Sequence, residues 1–145
     1  MTTRDTADKS AEVKELRFAL VCYGGVSLAI YMHGVTKELH KLVVASRAFE
    51  RDQEDNPFAA RDTENAYWKL FKHVEERQGV RLRAVIDIIS GTSAGGIDGI
   101  VLAKALAGNL SQEPLRDVWI DKGDIKKLMV GPAFVPLWLK AARSR

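Results

Sequence analysis

The chain is 145 residues long, with 46% hydrophobic and 28% charged residues, which is enough for one domain with a packed core and argues against a disordered, collagen-like or repeat-built chain. Its formal charge of +3 comes from 22 basic and 19 acidic side chains, and the excess sits at the end: residues 1–120 hold 16 Lys and Arg against 17 Asp and Glu, whereas residues 121–145 hold 6 against 2. No stripe of basic residues interleaved with stacking aromatics runs along the chain, which excludes nucleic acid as a partner, and the single cysteine, Cys22, allows neither an intrachain disulfide nor a cysteine-rich zinc site.

Residues 1–15 are polar, charged and aperiodic, which predicts a flexible N-terminal extension before a domain spanning 16–145. Arg17–Tyr23 reads as a buried strand that stops at Gly24-Gly25. From Leu28 onward, Tyr31 or Met32, Val35, Leu39, Leu42 and Val43 recur at spacings of three and four, which predicts a helix ending near Ala45. Phe18–Thr36 carries no formal charge when His33 is neutral and is long enough to raise the question of a membrane span. Gly24, Gly25, Ser27, His33 and Gly34 interrupt it, so it is read as strand plus helix. The preceding residues carry both signs, from Arg4 and Asp5 to Glu15 and Arg17, unlike a secretory leader, and a cytoplasmic location is the expectation.

Arg47–Asp62 is dense in charge and contains Asn56-Pro57, which predicts a solvated loop. Asp62 or Thr63 then caps a helix whose buried face is Tyr67, Leu70, Phe71 and Val74, with Gly79 as its stop. Leu82–Ile89 is a second strand, rich in Val and Ile, and Asp87 is its only acidic residue. It runs into Ser90-Gly91-Thr92-Ser93-Ala94-Gly95-Gly96, after which Ile97, Ile100, Val101, Lys104, Ala105 and Leu106 predict a third helix closed by Gly108-Asn109. A strand, glycine turn and helix thus occur twice, which predicts an α/β fold with a parallel sheet. Two strands do not make a stable sheet, so further strands are expected from beyond residue 145 or from another chain.

The chemistry concentrates at Gly91-Thr92-Ser93-Ala94-Gly95, a G-x-S-x-G pattern between a strand and a helix. A turn this tight forces Ser93 into a strained backbone conformation and demands glycine two positions either side, which Gly91 and Gly95 supply. It also sets Ser93 at a helix N-terminus, where free N–H groups and the positive dipole end stabilise developing negative charge. The Walker A pattern is absent because no Gly-Lys-Ser/Thr follows, and the dinucleotide fingerprint lacks its Gly-x-Gly. A serine nucleophile needs a base. His33, His40 and His73 all precede Ser93, contrary to the order of an α/β-hydrolase triad, and are read as helix-surface or satisfied core histidines. A base from outside these residues, or a carboxylate acting directly on Ser93, remains.

Arg17–Tyr23 entering Gly24-Gly25, together with Ile86-Asp87-Ile88-Ile89-Ser90-Gly91-Thr92-Ser93-Ala94-Gly95-Gly96, resembles the N-terminal part of a patatin-like phospholipase domain, over roughly residues 17–108. The run Tyr23-Gly24-Gly25-Val26-Ser27-Leu28-Ala29 is similar to the bacterial patatin-related branch. The resemblance implies a three-layer α/β domain with a mostly parallel sheet, incomplete in this chain. It also implies a lipid acyl hydrolase with a Ser-Asp dyad, a lipid or phospholipid substrate and no metal or organic cofactor. Ser93 matches the family's nucleophile, and the backbone amides of Gly24, Gly25 and Val26 match its oxyanion hole. Tyr23 stands where the family has the first glycine of its loop, and Ser27-Leu28 where it has Arg-Gly. The family's Asp-Gly lies well downstream of the elbow. Asp98-Gly99 is a literal match only five residues after Ser93 in the same helix, where packing or solvation is the expected role, and Asp117, Asp121 and Asp124 lack the following glycine.

The tail from Lys126 to Arg145 combines Leu128, Met129, Phe134, Leu137, Trp138 and Leu139 with Lys126, Lys127, Lys140, Arg143 and Arg145. That composition suits either a cover over the missing part of the sheet or a peripheral membrane contact. Cys22 is read as a small buried apolar residue. A non-catalytic lipid- or phosphate-binding module, and a fragment contributing strands to a partner, are the alternative functions.

Overall fold

A computed structural model describes residues 11–122. Its elements are β1 (Glu12–Cys22), a 3-10 turn (Val26–Leu28), α1 (Ala29–Arg51), α2 (Thr63–Gln78), β2 (Val80–Gly91), α3 (Ser93–Gly108) and α4 (Glu113–Lys122). The two strands pair in parallel, the connection between them being α1 and α2. The fold is therefore mixed α/β with a small parallel sheet, as the repeated strand-turn-helix pattern predicts.

Several boundaries differ from those expected. β1 begins at Glu12, so residues 12–15 are strand rather than extension; residues 1–10 lie outside the described residues. Their charge misled because the start of β1 is exposed on both faces and needs no apolar alternation there. α1 continues six residues past Ala45, through Arg47 to Arg51, and the loop shrinks to 52–62. The continuation is anchored by Ser46 and Phe49, 0% and 1% exposed, while Arg47 donates to the Leu106 carbonyl at 2.9 Å and Glu50 pairs with Arg83. The buried face of α2 is Asn65, Trp68 and Phe71, not the face through Leu70, which is 51% exposed. Gly79 closes α2 at φ 64 and Asn109 closes α3 at φ 51, both left-handed.

The core sits between α1, α2 and β2. Phe49 stacks edge-on against Trp68, with ring centroids 5.4 Å apart, and lies 6.4 Å from Phe71; Val43, Ala45 and Ala84 complete the buried cluster, with Phe18, Leu82 and Ile86 packed against it. The buried Ser46 hydroxyl accepts the Ala84 N–H at 2.9 Å, tying β2 to α1. The opposite face of the sheet is open among the described residues: Val13, Val21 and Ile88 are 52%, 62% and 61% exposed.

One irregularity sets the end of β2. Phe18 pairs with Ile86 but Ala19 pairs with Ile88, so Asp87 is an extra residue in the ladder, and its carboxylate accepts from Arg17 at 3.0 Å. An extra residue reverses the alternation of side chains. Ile86 faces the core, Ile88 is exposed, and Gly91 arrives opposite Cys22.

Candidate active site

β1 and β2 end side by side, so the turns that follow them meet. At Gly91 the chain leaves β2, passes through Thr92 in extended conformation (φ −125°, ψ 146°) and enters α3 at Ser93, whose φ is +52°. The left-handed region is costly for any residue with a Cβ, by about 1–2 kcal/mol, and Ser93 is exposed at the apex of the turn. The strain expected from the sequence pattern is therefore present at the residue expected to carry it.

The glycines are there because backbone passes through the space their side chains would need. A Cβ on Gly95 would lie 2.3 Å from the Cys22 carbonyl oxygen and 2.7 Å from that of Tyr23, and one on Gly91 would lie 2.7 Å from the Gly95 oxygen. A Cβ on Gly24 would lie 2.0 Å from the Thr92 oxygen and 2.6 Å from the Ser93 Cβ. The Gly24 loop is thus pressed directly against the serine. Gly25 adopts φ +152°, and its carbonyl accepts the Leu28 N–H at 2.9 Å, closing the 3-10 turn that leads into α1.

Thr92 joins the two turns. Its N–H donates to the Cys22 carbonyl at 3.2 Å, and its own carbonyl accepts the Gly96 N–H at 3.2 Å, starting α3. As the residue before a helix it is suited to cap with its hydroxyl, yet Oγ1 instead accepts the Gly24 N–H at 3.3 Å. The first N–H groups of α3 therefore receive no side-chain cap from Thr92. Ala94 and Gly95 are buried beneath them.

The structure brings together Ser93, the elbow residues Gly91, Thr92, Ala94 and Gly95, and the Gly24-Gly25-Val26 loop. Among the described residues the Ser93 hydroxyl has no hydrogen-bond partner. Asp98 is not its base: five residues along a helix turn it about 140° away from Ser93, and its carboxyl is fully buried, with Oδ1 accepting from Trp119 Nε1 at 2.9 Å. Its role is therefore packing and not solvation. Asp117 and Asp121 lie on α4, and Asp124 and the tail from 126 to 145 lie outside the described residues. His73 is exposed on α2. His33 fits neither expected class: it is 3% exposed, and neither ring nitrogen has a hydrogen-bond partner. Burial holds its pKa below the ordinary 6.5. Cys22 is buried as expected, at 4% exposure, and burial pushes its thiol pKa up.

Among the described residues no group of three or more His, Cys, Asp or Glu could hold a metal ion, and no helix is long and apolar enough to cross a membrane. No family model matches the chain, and no solved structure matches it. Over 123 residues, 85% of its length, the chain is 36% identical to a Mycobacterium tuberculosis protein described as "Uncharacterized membrane protein Rv3479". It spans about a tenth of that relative, 11% of its length.

Proposed function

We propose that this chain carries the nucleophile half of a patatin-like serine acyl hydrolase cleaving lipid esters, within a three-layer domain whose other strands and base lie outside the described residues. The observation that carries the reading is Ser93 at φ +52° between β2 and α3, with Gly24, Gly91 and Gly95 each admitting backbone where a Cβ would collide. A tight turn between close-packed elements needs small residues, but it does not need an exposed hydroxyl at the strained position. The likeness of both loops to the patatin-like family supplies the lipid ester as substrate class.

In the proposed reaction the Ser93 oxygen attacks the acyl carbonyl carbon while a carboxylate takes its proton. The carbonyl oxygen becomes an oxyanion, held by backbone N–H groups of the Gly25-Val26 turn and of the start of α3. The Gly24 N–H, expected in the oxyanion hole with those of Gly25 and Val26, donates instead to Thr92 Oγ1 at 3.3 Å and orients the loop in this conformation. Collapse expels the alcohol, which takes the proton back from the carboxylic acid. Water then cleaves the acyl-serine, releasing the fatty acid and restoring the hydroxyl. No metal or organic cofactor enters this scheme. A cytoplasmic location with peripheral membrane contact is part of the same proposal.

Treatment of the complete domain, base included, with a fluorophosphonate tests it: an adduct on the peptide containing Ser93, absent in Ser93→Ala, is the expected result, whereas the 145-residue chain alone, without its base, is expected to be inactive. The unpartnered Ser93 hydroxyl favours one second reading, a non-catalytic lipid- or phosphate-binding module. That reading predicts no adduct in the wild type but retention on lipid vesicles or phosphate resin.

A further inference from the structure

Beneath the two turns lies a buried polar group of side chains that the proposed reaction does not use. Asp98 on α3 is 0% exposed; Trp119 of α4 donates to its Oδ1 at 2.9 Å, and Oδ2 has no partner among the described residues. His33 on α1 is 3% exposed with both ring nitrogens unpartnered. The carboxyl and the imidazole lie close enough to act on each other electrostatically, and the carboxyl also acts on the Cys22 thiol at the end of β1. The charges of Lys37 on α1 and of Glu113 and Arg116 on α4 act on the same imidazole, Lys37 and Glu113 being paired with each other. The one side chain that bonds the carboxyl, Trp119, comes from α4, and α4 is itself paired to α1 through Lys37 and Glu113.

Burying a carboxyl oxygen without a hydrogen-bond partner is unfavourable, and an apolar side chain would pack there without that loss. Its location gives it a use. α3 begins at Ser93, and Asp98 lies five residues, about 7.5 Å of rise, along the same rigid helix. α1 begins one residue after the 3-10 turn, and His33 lies five residues past Leu28. Whatever fixes Asp98 against α1 and α4 therefore fixes the distance between the nucleophile and the loop facing it.

We propose that Asp98 is a positioning residue: through its bond from Trp119 it locks α3 to α4, which Lys37–Glu113 and Thr36–Gln112 tie to α1, and so sets the separation of Ser93 from the Gly24–Leu28 loop. The proposal deepens the acyl hydrolase reading and rests on it for its catalytic consequence, but the mechanical coupling can be measured without catalysis. A misplacement of about 1 Å is enough to slow chemistry by roughly a hundredfold.

The experiment uses the complete domain that the proposed function assigns, with these 145 residues inside it, and two readouts, the rate of fluorophosphonate labelling at Ser93 and hydrogen exchange in peptides covering 22–33 and 90–100. Asp98→Ala and Trp119→Phe each break the Trp119 bond; Asp98→Asn keeps an oxygen to accept it. The expected result is labelling at least tenfold slower in the first two variants, near wild-type labelling in Asp98→Asn, and faster exchange in both peptides but not in the Phe49 and Trp68 core. Wild-type labelling rates and exchange in all variants would overturn the positioning role and leave the hydrolase reading standing. So would faster exchange spread evenly over the core, which marks a purely structural residue. An unlabelled wild type with coupled loosening of the two peptides refutes the hydrolase reading while the coupling stands; unlabelled protein with unchanged exchange refutes both.

Discussion

The strain at Ser93 gives a prediction whose sign is opposite to that of ordinary helix substitutions. Ser93→Ala and Ser93→Gly both remove the hydroxyl, and both abolish labelling by a fluorophosphonate. They differ in stability, because at φ +52° a Cβ is unfavourable by about 1–2 kcal/mol. Glycine relieves that strain but restores freedom to the unfolded chain, an opposing effect of about 0.5–1 kcal/mol. The net expectation is that Ser93→Gly is about 0.5–1 kcal/mol more stable than Ser93→Ala. With a urea slope of about 1.5 kcal/mol/M, that is a midpoint higher by about 0.3–0.7 M. Ala103→Gly is the control: it is exposed in the interior of α3, where glycine is expected to lower stability by about 1 kcal/mol. Urea unfolding followed by circular dichroism reads all three. If Ser93→Gly proves less stable than Ser93→Ala by the same margin as the Ala103 control, the backbone at the turn is unstrained, and the chief support for a nucleophile elbow is removed.

Other substitutions probe neighbouring links. Gly95→Ala, forced against the Cys22 backbone at 2.3 Å, should lose about 3 kcal/mol or more and cut labelling, whereas Gly34→Ala, with nothing within 4 Å on α1, should gain about 0.5–1 kcal/mol; equal effects in denaturant titrations would contradict the packing described. Phe49→Ala should lose about 3–5 kcal/mol, since the ring is 1% exposed between Trp68 and Phe71, and a loss below about 1 kcal/mol would place the core elsewhere. Burial holds the Asp98 carboxyl above its ordinary 3.8 and the His33 imidazole below its ordinary 6.5. The Asp98 contribution is therefore full in acid and lost as pH rises from 3.8 through its elevated folded pKa, while that of His33 is lost as pH falls from 6.5 through its depressed one. Wild type should accordingly lose stability relative to Asp98→Asn as pH rises from 3.8; a difference that grows in favour of wild type would reverse the assigned shift.

What the sequence revealed and what it hid follow from the range of the interactions involved. Gly79, Asn109 and the elbow were legible because each is a local backbone requirement: a left-handed residue or a clash within a few positions selects the side chain on the spot. The parallel sheet was legible because two strand-turn-helix units leave few other connections. The continuation of α1 through Arg47–Arg51 was hidden, since its charges read as solvent while Phe49 was chosen by Trp68 and Phe71, some twenty residues away. The start of β1 was hidden for the converse reason: an exposed strand obeys backbone pairing to residues nearly seventy positions on, and leaves almost no apolar signature. Asp98 lies at the limit of both kinds of evidence. Its sequence context, an acidic residue in a glycine-rich apolar helix, says only that an exception exists. The meaning of the exception resides in Trp119 and His33, which α4 and α1 bring from opposite directions along the chain. A buried polar residue is thus recognisable locally but interpretable only through tertiary neighbours, and for that reason the strained turn at Ser93 was legible in its own pentapeptide while the bond from Trp119 to Asp98 was not.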